Sequence, residues 1–254
     1  MKTDNEKLSF EDEGRFRRAL ALAASESAGG IGTMGEKGIH RTLKYFFEPH
    51  TDCHEVKIGG YIADAAGEGG IFEIQTAGFY RMKEKLTAFL AAAKVTVVYP
   101  VVSSKRIIKI DRETGEAVSV RRSPKKGSEW SIFPELYSIR ALLCEPELCF
   151  RIVTLEADET RFAAQERGRG RRKGGASDTE KLPTRLVSIK CLDTPDDYAA
   201  FIPDGLGETF TVKEFAQAAK IDRDTARTAL HVLSIKGLLK KENSGSRELK
   251  FSLK

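Results

Sequence analysis

The sequence has few cysteines: Cys53, Cys144, Cys149 and Cys191, with no Cys-x-x-Cys pair and no even spacing. That pattern argues against a disulfide framework, and reduced structural thiols are the expected state. Long apolar runs are absent too. No stretch approaches the roughly 18 uncharged apolar residues that a membrane helix needs, and the most apolar run, 86–102, is broken by Lys94 and Pro100. MKTDNEKLSF lacks the apolar segment of a secretory signal, so a cytoplasmic address with no membrane contact is expected. The run GGIGTMG has neither GxGxxG order nor a GK[ST] ending, which excludes the common nucleotide-binding loops. Ser103, Ser104 and His231 have no spacing that suggests a hydrolase triad.

What remains is a globular chain of 254 residues, 41% hydrophobic and 31% charged, enough for one medium domain and one small one. The net charge of +5 is unevenly spread. Arg121, Arg122, Lys125 and Lys126 cluster in RRSPKKG, and five further cations crowd ERGRGRRKGG at 166–175. Clustered cations suit a phosphate backbone, whose counterions they displace. A solvated loop accounts for them equally well.

Periodicity predicts a helix over about 10–25 and a second before Pro49, where Ile39, Leu43, Phe46 and Phe47 share a face. Three short strands follow (EVKIG, YIADA, GIFEIQT), then a helix from about Gly78 and a buried strand, VTVVYPV. KRIIKIDRETGEAVSVRRS reads as a hairpin turning at Thr114–Gly115, before a helix near 134–143 and the strand LCFRIVTLE. This gives an N-terminal helix in 1–30 and an α/β domain in 31–165. A basic Gly-rich loop over 166–181 and a domain end with linker over 182–203 complete it. In 204–254, Thr211 and Asp222 stand as caps before two helices, and LLKKENSGSRELKFSLK reads as two strands. That is the helix, turn, helix, wing order of a winged helix-turn-helix domain.

The segment YIADAAGEGGIFEIQT carries the chemistry. A two-residue turn at Glu68–Gly69 pairs residues whose numbers sum to 137, so Asp64 faces Glu73. Two opposed carboxylates repel and call for a proton or a cation. On that footing, neutralising Asp64 is expected to stabilise the metal-free protein. Gln75 lies on the same strand face as Glu73. Glu36 falls inside the apolar stripe of the second helix, where a carboxylate is unusual without a partner, and His40 lies one turn further on. Glu36, Asp64 and Glu73 form an oxygen set able to ligate Mg²⁺ or Mn²⁺ for phosphodiester hydrolysis. Alternating polar residues on a solvated strand face give the same pattern without a site. Zinc at His50, Cys53 and His54, with His40 nearby, matches no common finger spacing.

An acidic helix residue, an Asp on the second strand and Glu-x-Lys on the third, then a helix and a further strand, is the layout of the PD-(D/E)XK nucleases. This chain resembles them in Glu36, Asp64, Glu73 and Gln75, the last giving the EIQ variant of the motif. The resemblance implies a restriction-endonuclease-like mixed sheet flanked by helices and a metal-dependent deoxyribonuclease site. Gln75 stands where that superfamily usually has Lys. It can orient a water but supplies no charge, and Lys83 on the next helix is the expected substitute.

In the C-terminal module, Arg223, Arg227, Thr228 and His231 are expected on the exposed side of the second helix, facing a major groove. Lys240, Lys241 and Arg247 on the wing are placed to reach phosphates. Two functions from different classes remain: a metal-dependent DNA endonuclease or nickase acting on duplex DNA, and a non-catalytic DNA-binding regulator. RNA processing and a homodimeric assembly are left open.

Overall fold

A computed structural model describes residues 8–28, 38–111, 113–162, 179–242 and 249–254. Helix α1 (Phe10–Ala28) turns Phe16, Ala19 and Ala23 inward, and α2 (Gly38–Phe47) buries Ile39, Leu43 and Phe46. Apolar residues three and four apart make each stripe. The helices meet with Phe16 edge-on to Phe46, centroids 6.1 Å apart, and Arg15 donating to Phe46 O at 3.0 Å.

Strands β1 (His54–Ile58), β2 (Tyr61–Gly67) and β3 (Gly70–Ile74) form an antiparallel meander. The β2–β3 register pairs Ala65 with Phe72, Ala66 with Ile71 and Gly67 with Gly70, as the turn residues predict. Gly70 has φ +97, and a methyl group there would stand 2.5 Å from Lys94 O. Both conformation and space therefore require glycine.

A 3-10 turn (Phe79–Met82) and α3 (Lys83–Leu90) cross over to β4 (Val95–Ile110), which runs parallel to β3. The first seven residues of β4 are all buried, as befits a parallel strand covered on both faces. Val97, Tyr99 and Val101 pack in the layer with α3, and Val98 in the layer with α1 and α2. Strand β5 (Ala117–Arg122) folds back on the far half of β4. Helix α4 (Ile132–Ser138) precedes β6 (Leu148–Phe162), which pairs in parallel with β4 along its whole length. Strand β7 (Thr179–Leu192) closes the sheet antiparallel to β6. The order is β1-β2-β3-β4-β6-β7, with β5 also on β4. The fold is thus mixed α/β, a large mixed sheet flanked by helices.

Two sequence readings are corrected here. Residues 179–181 belong to a strand rather than to the Gly-rich loop, whose remainder, 166–178, lies outside the described residues. Residues 182–192 belong to the same strand rather than to a linker. Pro183 and four charged residues disguise β7, which is possible because β6 lies on one edge of it and Pro is tolerated at an edge.

After α5 (Pro195–Tyr198) come β8 (Thr209–Thr211), α6 (Val212–Ala219), α7 (Arg223–Ile235), β9 (Leu239–Glu242) and β10 (Lys250–Leu253). Thr211 and Glu214 cap α6 reciprocally, and Asp222 caps α7 through the amides of Asp224 and Thr225. The three strands lie in the order β8-β10-β9. This part shares its core with the large sheet. Phe201 stands 5.1 Å from Trp130 and 4.9 Å from Phe133, and Lys236 donates to Leu143 O at 2.6 Å. Among the described residues no helix is long and apolar enough to cross a membrane.

Candidate active site

The β1–β2 ladder pairs His54 with Ala65 and Val56 with Ala63, skipping Glu55 and Asp64, and Glu55 has φ +52. The β2–β3 ladder stops at Ala65–Phe72. Asp64 and Glu73, next in register, leave the ladder, and their carboxylates satisfy the backbone groups that the split frees. Glu73 Oε1 accepts from Asp64 N at 3.2 Å, and Asp64 Oδ2 accepts from Ile74 N at 2.8 Å.

A basic group meets each acid from a different layer. His40 on α2 brings Nε2 to 3.1 Å from Asp64 Oδ2, and Lys85 on α3 donates to Glu73 Oε2 at 2.6 Å. Glu73 is 4% exposed.

The two carboxyls respond unequally. Burial first, and then the charge of Asp64, push Glu73 up to about 7 against the pull of Lys85. Burial also raises Asp64. The His40 hydrogen bond and charge, the Ile74 amide and Lys85 outweigh it and hold Asp64 below the ordinary carboxylate range. The charge of Asp64 acts against that of Glu73, whereas Asp64 itself holds favourable contacts with His40 and the Ile74 amide. Neutralising Asp64 relieves the first and weakens the second, two opposed effects where the sequence reading weighed only one.

The remaining residues divide. Gln75 donates its side-chain amide to Ala77 O at 2.5 Å, within the loop that leaves β3. Lys83 is exposed at the start of α3, so the lysine that reaches the acids is Lys85. Glu36 lies outside the described residues. Among those described, no group of three or more His, Cys, Asp or Glu side chains is gathered to hold a metal ion. His54 is engaged with Glu48 O at 2.8 Å and lies edge-on to Tyr45. Sequence reasoning missed Glu135, whose Oε2 accepts from the amides of Gly78 and Phe79 at 2.8 and 2.9 Å and so fixes the turn after Gln75. No local signal connects those positions.

On α7, Arg223 and Arg227 are exposed, Arg227 donating to Asp224 at 2.8 Å, and the Thr228 hydroxyl is held by the Thr225 carbonyl at 2.9 Å. His231 was expected to face a groove. Its ring instead lies 5.4 Å from that of Tyr137 on α4, half-buried. Lys240 and Lys241 are exposed on β9, as are Arg121 and Arg122 on β5 and Lys125 and Lys126 beyond it. Arg247 lies outside the described residues.

The model of a family described as a domain of unknown function, DUF8091, matches residues 37–193. The chain belongs to this family. The match runs through His40, Asp64, Glu73 and Lys85 and ends before β8. The chain is also similar to an uncharacterized protein of Treponema pallidum (strain Nichols), with 36% identity over 144 residues. That alignment covers 56% of this chain and 57% of the relative, so the chain spans little more than half of it. No solved structure matches.

Proposed function

We propose that this chain is a metal-dependent DNA endonuclease or nickase of the PD-(D/E)XK type, its C-terminal part a winged helix that grips duplex DNA. The observation that carries the reading is the convergence of Asp64 and Glu73 at the split between β2 and β3. It occurs within the order α2–β1–β2–β3–α3–β4 with β3 parallel to β4, the layout that the superfamily resemblance implies. The order β8–α6–α7–β9–β10, with β10 between β8 and β9, supports the winged-helix part.

Asp64 and Glu73 would hold Mg²⁺ or Mn²⁺ through hard oxygens. Among the described residues the two carboxylates and the His40 imidazole are the donors near this point, short of a full oxygen set, and Lys85 already donates to Glu73. When bound, the ion supplies Lewis acidity and a more acidic water. Lys85 fixes the Glu73 carboxylate and brings the positive charge that Gln75 lacks. His40 orients Asp64. Arg223, Arg227, Lys240 and Lys241 supply phosphate contacts, with Lys125 and Lys126 on the large domain. One observation favours the non-catalytic regulator: the Gln75 amide is turned onto Ala77 O rather than toward the acids.

Plasmid and single-stranded DNA incubated with Mg²⁺ or Mn²⁺ separate these readings. Wild-type cleavage lost in Asp64→Ala, Glu73→Ala and Lys85→Ala, with binding retained, supports the nuclease. Binding without cleavage in wild type gives the regulator, and absence of both discards the DNA reading. Arg227→Ala is expected to lower the dependence of log binding constant on log salt by about one.

A further inference from the structure

In a winged helix-turn-helix the second helix lies in a groove with the side turned away from its own core. In this chain that side is largely taken up from within. Ala226, Ala229, Leu230 and Leu233 face the core. At roughly 100° per residue, Asp224, Thr228, His231 and Ile235 lie on the other side of α7, and of these only Asp224 is exposed. The Thr228 hydroxyl is held by the Thr225 carbonyl, the His231 ring lies on Tyr137 of α4, and Ile235 packs against the core shared with the large sheet. Arg223 and Arg227 are exposed on the flank. What is left at the centre of that side to meet a groove is an acid.

The same packing gathers cations from both parts of the chain. Arg140, in the 3-10 turn Arg140–Leu142 that follows α4, lies over the Tyr137 ring with its guanidinium carbon 4.9 Å from the centroid. The charges that bear on His231, beside that ring, are those of Lys241 on β9, Arg227 on α7 and Arg140. All three cations are exposed. Among the described residues Arg140 and Lys241 form no ion pair, and Arg227 is paired only with Asp224 of its own helix. Three positive charges around one pair of rings repel one another, and an anion between them relieves the repulsion.

We propose that Arg140, Arg227 and Lys241 form one clamp for the phosphodiester backbone of duplex DNA, spanning the joint between the two parts of the chain and indifferent to base sequence. The inference rests on the DNA reading above and specifies it: the contact is made to phosphates, which position a duplex without reading it, and not by laying α7 in a major groove. Each phosphate held releases counterions, so the affinity depends steeply on salt. The clamp also has a defined relation to the acids. Glu135, two residues before Tyr137, accepts from the amides of Gly78 and Phe79 in the loop that leaves β3. One helix of seven residues therefore holds both the clamp and that loop. Helices α3, α4 and α7 all pack on the same side of the sheet, so a backbone seated on the clamp lies on the side from which Lys85 reaches Glu73.

The test is fluorescence anisotropy of the full chain with a labelled duplex in EDTA, from about 50 to 200 mM salt. Arg140→Ala is expected to weaken binding several-fold at the lowest salt and to lower the slope of log binding constant against log salt by about one. Arg140→Ala with Lys241→Ala is expected to lower it by about two. Arg140→Lys keeps the charge and is expected to keep the slope, which separates the cation from any loss of packing on Tyr137. Arg18→Ala, an exposed change on α1 across the sheet, is expected to change nothing. Selection of bound duplexes from a random pool is expected to enrich no motif. A wild type that binds no duplex removes the DNA reading and the clamp with it. Binding with an unchanged slope in Arg140→Ala overturns the clamp alone, as does an enriched motif.

Discussion

Lys85 Nζ lies 2.6 Å from Glu73 Oε2 and 5.4 Å from the centroid of the Phe89 ring. One side of the ammonium is thus held by a carboxylate and another by an aromatic face.

Removing that ammonium leaves Glu73 with Asp64 as its nearest charge. Lys85→Met is expected to cost about 2–4 kcal/mol at pH 8, as for one partner of a buried pair. The loss is expected to shrink at pH 5, where Glu73 holds a proton. Urea unfolding at the two pH values checks this. An equal loss at both would mean that Lys85 acts through packing alone.

The pH response of the two acids has opposite signs. Glu73 is raised from 4.5 to about 7, so between those values the folded chain keeps a proton that the unfolded chain has lost. Its contribution to stability is full below about pH 4.5 and declines as pH rises through about 7. Glu73→Gln is expected to match wild type at pH 4 and to exceed it at pH 8. Asp64 is lowered from 3.8, so its contribution is present above that value and is lost as pH falls further. Asp64→Asn is expected to be less stable than wild type at neutral pH. Both curves come from thermal melts in EDTA, and two mutants shifting in the same direction would contradict the unequal sharing.

His231 joins α7 to α4. Burial first, and then Lys241, Arg227 and Arg140, hold its pKa below 6.5. The group stabilises the fold fully above 6.5 and loses that contribution as pH falls below it. His231→Phe keeps a ring against Tyr137 and cannot be protonated. It is expected to flatten the loss of stability between about pH 6.5 and pH 5, and a loss as steep as that of wild type would place its origin elsewhere.

Gly70 and Gly60 both have positive φ, +97 and +85, but only at Gly70 would a methyl group collide, 2.5 Å from Lys94 O. Gly70→Ala is expected to cost more, about 2 kcal/mol or above, combining strain with displacement of the crossover. Gly60→Ala meets open space and is expected to cost about 1 kcal/mol. Chemical denaturation of the pair compares them directly, and equal losses would assign the whole effect to the backbone.

How much of this was legible follows from how local each feature is. The β2–β3 register was legible because the turn residues at 67–70 set it. Lys85 was not: the stripe Phe79, Met82, Leu86 and Phe89 is buried as its spacing suggests, but Lys83 and Lys85 stand roughly 200° apart at its two borders. Which border faces the acids depends on how the helix docks on β3. The end of the ladder at Ala65–Phe72 was not legible either, because it depends on His40 and Lys85 arriving from separate helices. Nor was the packing of His231 on Tyr137, a contact between α7 and a helix almost a hundred residues earlier. The caps at Thr211 and Asp222 were legible, whereas β8, three residues long, carried no periodicity to read.

Val95 pairs in parallel with Ile71 on one side and with Leu148 on the other. Neither partnership can begin as a tight hairpin, since parallel neighbours need a crossover, and distant pairings close slowly. During synthesis the β1–β3 meander can leave the ribosome and fold locally. The centre of the sheet must wait until residues beyond Leu148 have emerged, and until then the first half of β4 exposes a run of valines. Pulse-labelled hydrogen exchange during refolding is expected to protect the β2–β3 amides before those of β4. Stalled nascent chains ending before β6 are expected to be sticky substrates for chaperones.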